Sequence, residues 1–251
     1  VKGGVDIAMV PANLAAVLHQ NTEGGVQAIA VNTLGVLYLL ERGKSVRSAE
    51  ELRGRTIFAS GKGATPEIVL RYLLTQSGID PDRDVDIQWK SEHAECLAAL
   101  LTTEGALAML PQPFAAAAEL KSDEVRVALD LNALWESLPK DGGGSALITG
   151  AAVVRTAFAK EYPEAVNAFL KDYRQSVEWV NSSIPEAAQR IEFYGIIDAE
   201  AAEQAPPACH IVCITGTEMQ ELLGGYLQVL YGQNPQSVGG ALPGEGFFYV
   251  P

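Results

Sequence analysis

Positive charge is scarce in this sequence: 18 lysine and arginine side chains face 31 aspartates and glutamates across 251 residues, a formal net charge of -13. That balance argues against non-specific binding to nucleic acid or to an anionic membrane, while leaving the charge of a small pocket open. Apolar runs are short, and none reaches the roughly 18 residues that a membrane span needs. Cysteine is nearly absent. Cys96, Cys209 and Cys213 are an odd set, which supports no complete disulfide framework and leaves room for a single bridge. No targeting segment precedes "VKGGVDIAMVP", but a mature exported protein would lack one too, so cytoplasmic residence does not follow.

Catalytic signatures are missing as well. There is no GxSxG elbow and no HExxH pair, and His19, His93 and His210 have no serine or cysteine partner in motif context. "CHIVC", residues 209–213, offers too few ligands for a zinc site and reads as apolar packing between helices. "ASGKGATP", residues 59–66, looks like a phosphate loop at first sight. Its Lys62 lies between the glycines rather than after them, however, which rejects the Walker pattern, and the third glycine of the dinucleotide pattern is absent.

What remains is an alternation of short apolar runs and amphipathic stretches. The hydrophobic content of 48% is enough for one large α/β domain or two lobes with separate cores. "VDIAMVP", "VQAIAVN", "VLYLLER", "RTIFAS", "DVDIQW", "ALAMLP", "VRVALDL" and "SALITGAAVV" read as strands. Helical stretches follow most of them, a rhythm that predicts parallel sheets with ligands near the carboxyl ends of the strands. After residue 150 the chain turns helical. "PKDGGG", residues 139–144, is the clearest flexible stretch. Suspected linkers near 41–48 and 139–145 suggest an inserted middle lobe, residues 45–143, with 1–44 and 144–251 building the other.

Several strand ends carry residues suited to a ligand. Gly61 and Gly63 permit close backbone approach, Thr65 can cap, and Pro66 suits a first helical turn, so this loop is either a binding wall or an ordinary helix start. Asn13, Asn32 and Thr33 stand at similar ends, where they face a cleft or finish a turn. Gln112, in "MLPQP", can donate or accept but also fits a plain strand-to-helix turn. His93 opens a helix and reaches a ligand or serves as a cap.

Taken in order, "DIAMVPANLAAVL", "NTLGVLYLLE", "LRGRTIFASGKGATPEIVLRYLL", "SEHAECLAAL", "MLPQPF" and "FLKDYRQSVEWVN" resemble the solute-binding proteins of ABC transporters. The resemblance is to the NMT1/THI5-like group, related to binding proteins for nitrate, sulfonates and thiamine precursors. It implies a type II periplasmic-binding-protein-like fold, with two α/β lobes around a cleft and a helical C-terminal region. It also implies an extracytoplasmic protein, periplasmic or lipid-anchored, that hands a small organic or anionic molecule to a membrane permease with a cytoplasmic ATPase. No catalysis, cofactor or nucleic acid enters that role. The pocket would use Asn13, Asn32 and Thr33 from one lobe and Gly63, Ala64, Thr65 and Gln112 from the other, with His93 as a further contributor and Ser145 near the return crossing. Members of the group carry a first βαβ segment ahead of the position of "GGVDIAMVP", so upstream sequence is expected. A metabolic enzyme or a ligand-sensing module on the same fold is the alternative.

Overall fold

The computed structural model describes residues 4–138, 145–204 and 208–250. They are organised by two sheets. The first has four strands in the spatial order β1 (Ile7–Pro11), β8 (Ile148–Arg155), β2 (Val26–Leu34) and β9 (Ile211–Ile214). The second has five, in the order β5 (Asp86–Lys90), β4 (Thr56–Ser60), β6 (Leu107–Pro111), β3 (Leu37–Arg42) and β7 (Val125–Asp130). Helix α1 (Ala12–Asn21) follows β1, while α2 (Thr65–Gln76), α3 (His93–Thr102), α4 (Phe114–Lys121) and α5 (Leu131–Ser137) follow the strands of the second sheet. The remaining helices are α6 (Thr156–Glu161), α7 (Pro163–Ser182), α8 (Ile184–Phe193), α9 (Ala199–Gln204) and α10 (Gly216–Gln233).

Local sequence explains most of these elements. In β2, residues 28–31 are all buried, as a strand covered on both faces requires. Helix α2 buries Val69, Leu70, Leu73 and Leu74 on one stripe and stops where Gly78 takes φ +73, a conformation natural to glycine. Helix α10 buries Met219, Leu223, Tyr226, Leu227 and Leu230 at helical spacing. Each of its fully buried leucines contributes about 1.5–3 kcal/mol. Pro163 breaks the long helical run after β8 into α6 and α7.

Three features depart from the sequence reading. Strand β3, inside the segment 1–44 assigned to the first lobe, hydrogen-bonds to β6 and β7 of the second sheet. The first crossing between sheets therefore falls at Gly35–Val36 rather than near 41–48. Among the described strands, parallel ladders join β4 to β5 and β6, with one isolated parallel bridge between Ala28 and Phe248. The reason is the path of the chain: β3 enters the second sheet from the side facing the first, opposite in direction to β4, β5 and β6. Likewise β8 enters the first sheet on its return and runs antiparallel to β1 and β2. Third, the apolar run at Ile211–Ile214 is a strand paired to β2. A short apolar run cannot be told from a helix by periodicity alone. The glycine-rich stretch 139–144 lies outside the described residues.

The crossing itself is braced. Gly35 donates its amide proton to Asn132 Oδ1 at 3.2 Å, Leu34 donates to the His210 carbonyl at 3.1 Å, and the Tyr38 hydroxyl donates to the Ala208 carbonyl at 2.7 Å. A Cβ on Gly35 would stand 2.6 Å from the buried Leu147 side chain, so a larger residue there would force Leu147 to shift.

Candidate functional site

Strands β4, β5 and β6 end on one edge of the second sheet. Past those ends stand Gly63–Pro66 and His93, with Pro111 as the last residue of β6. The first lobe brings Pro11, Ala12 and Asn13 from the β1–α1 junction and Leu147, Ile148 and Thr149 from the start of β8. Together these residues line a cavity of about 600 Å³ between the lobes. Val36 and Leu37 of the crossing, Ile68 and Val69 of α2, Tyr226 of α10, and Asn234, Gln236 and Ser237 from the turn after α10 also line it. Beside the cavity, the Tyr226 ring packs 5.7 Å from Trp135, which packs 4.9 Å from Tyr72, so the two lobes share an aromatic column.

Helices α1, α2 and α3 all begin on this lining, and none has a side-chain cap. Backbone N–H groups at a helix start have no partner within the helix and favour an anion or a polar acceptor. The α2 loop is preorganised. Gly61 and Gly63 take φ +82 and +80, and Ala64 donates back to the Gly61 carbonyl at 3.0 Å. The Gly63 N–H is not free for a ligand, because the Glu67 carboxylate accepts it at 2.6 Å. Among the described residues, no lining side chain carries a formal charge at neutral pH. His93 and Tyr226 are the titratable ones. Burial pushes the His93 imidazole down, against the upward pull of the Glu92 carboxylate, and burial raises the Tyr226 phenol.

Five of the nine residues singled out from sequence meet at this cavity: Asn13, Gly63, Ala64, Thr65 and His93. Asn13 Nδ2 donates to the Ser237 carbonyl at 3.1 Å and ties α1 to the turn after α10. Asn32, Thr33, Gln112 and Ser145 are not on the lining. Gln112 Oε1 accepts from the Ala116 amide at 3.3 Å, in the first turn of α4, and Ser145 Oγ accepts from Trp135 Nε1 at 3.3 Å. Asn32 stands at a β-bulge, and Thr33 pairs with Gly150 beside it. The buried Asn32 Oδ1 has no hydrogen-bond partner among the described residues.

A Cβ on Gly150 would stand 2.2 Å from that same oxygen. Gly150→Ala should therefore destabilise the protein by about 1–3 kcal/mol, as overpacking does. Thermal denaturation checks this, and Asn32→Gly in the same chain should restore much of the loss. Sequence reasoning missed Thr149, Tyr226, Asn234, Gln236 and Ser237. The polar run "QNPQS" just past a long helix was the one signal available.

All three cysteines are free thiols, Cys96 buried and Cys209 and Cys213 half-buried. His210 Nδ1 lies 2.5 Å from the Gly35 carbonyl oxygen. The described residues contain no group of three or more histidines, cysteines or acids placed to hold a metal, and no helix among them is long and apolar enough to cross a membrane.

Two α/β lobes joined at a braced crossing, with a cleft between them, define the type II periplasmic-binding-protein architecture. Residues 1–204 match the family described as "ABC transporter, phosphonate, periplasmic substrate-binding protein". The chain belongs to that family, whose members work with a membrane permease and its ATPase. A solved ABC transporter structure from Parabacteroides distasonis is similar over 100% of this chain and 82% of its own, with 25% identity and a TM-score of 0.82. The periplasmic aliphatic sulphonate binding protein SsuA from Escherichia coli covers 99% of this chain and 77% of its own, with 15% identity and a TM-score of 0.75. The alkanesulfonate-binding protein SsuA from Xanthomonas axonopodis pv. citri, solved with MOPS bound, covers 96% and 78%, with 14% identity and a TM-score of 0.65. At 15% and 14% identity the last two speak to the fold alone. Among curated proteins compared by sequence, none matches.

Proposed function

We propose that the cleft captures one small organic solute, neutral or anionic, between its lobes and releases it unchanged to the permease. The observation that carries this reading is the cavity of about 600 Å³, lined from both lobes, where three uncapped helix starts face mostly apolar walls. Such a site holds an acceptor group through backbone N–H donors and an apolar body through Val36, Leu37, Ile68 and Ile148. The described lining offers an anion dipoles and neutral donors rather than a basic side chain. Closure follows from contacts that both lobes make with the same molecule.

In this reading Asn13, Thr65 and His93 contact the solute, with the backbone at Gly63–Ala64 shaping the wall. Placement within the NMT1/THI5-like group, and residence in the periplasm or at the cell surface, rest on the sequence resemblance and the family. The relatives described as sulphonate-binding make sulfonates one class to try, beside phosphonates, nitrate, pyrimidines and small aromatic acids. Ligand binding raises the unfolding midpoint by mass action, so a thermal-shift panel of these compounds identifies the solute. Thr65→Val removes one hydroxyl from the wall and should weaken binding of the hit about 5- to 10-fold while leaving the ligand-free midpoint unchanged. Unchanged affinity would remove Thr65 from the ligand shell.

A further inference from the structure

Behind the cleft wall, two polar side chains form a pair that the capture reading does not itself require. Ser60, the last residue of β4, is buried, and its hydroxyl lies 2.7 Å from His93 Nδ1. Among the described residues this is the one hydrogen bond of that hydroxyl. Phe114 packs 5.3 Å from the imidazole and helps to fix its plane. With Nδ1 engaged by Ser60, Nε2 is the ring nitrogen left for the cavity that His93 lines.

Ser60 has one proton to give, so two arrangements are open. In one, Ser60 donates to Nδ1, which leaves the imidazole proton on Nε2. In the other, Nδ1–H donates to Ser60, and the buried Ser60 proton is left without an acceptor among the described residues. A buried hydroxyl proton without an acceptor is costly, whereas an unprotonated imidazole nitrogen is a strong acceptor. Burial also disfavours the charged imidazolium in which both nitrogens would carry protons.

We propose that Ser60 is a positioning residue that holds His93 in the Nε2–H tautomer, so that the cleft offers a hydrogen-bond donor at this wall. The solute then carries an acceptor there, an oxygen or an unprotonated ring nitrogen, and a molecule with only donors is turned away. The statement about the solute rests on the capture reading. The tautomer does not.

Long-range ¹H–¹⁵N correlation spectra of the ligand-free full-length protein at neutral pH read the tautomer directly. The wild type should show His93 with Nε2 protonated and Nδ1 bare. In Ser60→Ala that single tautomer should give way to a mixture, with the Nδ1 resonance moving toward its averaged position. Ser60→Thr, which keeps the hydroxyl, should retain the wild-type signature, and an otherwise unchanged spectrum shows that each variant is folded. A wild-type His93 protonated on Nδ1, or a Ser60→Ala signature identical to wild type, overturns the assignment. Because the spectra need no ligand, failure of every solute in the thermal-shift panel would count against the capture reading and leave the tautomer standing.

Discussion

Replacing Glu41 by glutamine is expected to destabilise the protein by about 3–5 kcal/mol, the usual cost of breaking a buried charge pair from one side. Glu41 is the next-to-last residue of β3, at the opposite end from the cleft residue Leu37, and its side chain is fully buried. Burial alone would push its carboxyl up. The Ser45 hydroxyl, the Val46 and Ser45 amides and the Arg55 guanidinium outweigh that effect and hold it at about 2, against an ordinary 4.5. Arg126 Nη2 donates to Oε2 at 2.7 Å and also to the Val46 carbonyl, so one carboxylate organises the turn after β3 and two arginines at once. A neutral amide would leave both arginines facing a weaker partner.

The sign of the pH dependence follows. Because the folded carboxyl is more acidic than the unfolded one, its stabilisation is fully present above about pH 4.5 and is lost as pH falls from there toward 2. Urea denaturation between pH 7 and 3 should show Glu41→Gln less stable at neutral pH, with the gap to wild type narrowing in acid. A constant gap would mean that Glu41 is not held ionised by these partners.

The second large effect is on binding. Thr149 stands on β8, exposed, with its neighbours Ile148 and Gly150 buried, and it lines the cavity. Thr149→Trp places an indole in the cavity proposed for the solute and disturbs no core contact. Affinity for the solute should fall at least about 100-fold, equivalent to about 2.7 kcal/mol, with the ligand-free unfolding midpoint within a degree or two of wild type. Calorimetric titration checks the first figure and a thermal melt the second. If Thr149→Trp binds as tightly as wild type, the solute lies somewhere else.

How far the sequence carries this account differs from residue to residue. The α2 loop was legible as a turn into a helix, because two glycines, a threonine and a proline suit a strand-to-helix turn. Even there, the sequence did not reveal that Glu67 occupies the Gly63 amide. Asn13 and Thr65 were legible as polar residues at helix starts, but Gln112 looked alike and is engaged with the Ala116 amide instead. Asn32 was beyond reach. It stands at a bulge, and a one-residue change of register moves a strand side chain to the other face.

The polar wall at 234–237 was hidden for another reason. Ser237 meets Asn13 across 224 residues of chain, brought there by the packing of α10 on the first sheet, and no local pattern encodes that distance. The position of β3 was likewise set by pairing with β6 and β7 rather than by its own apolar run.

The most direct measurement of the central claim is equilibrium dialysis of full-length wild type and Thr149→Trp against the thermal-shift hit, with mass spectrometry of the recovered solute. Capture without conversion predicts one molecule retained per wild-type chain, almost none by Thr149→Trp, and recovery of the solute with unchanged mass after prolonged incubation. Equal retention by the two proteins, or a product that accumulates with time, would contradict it.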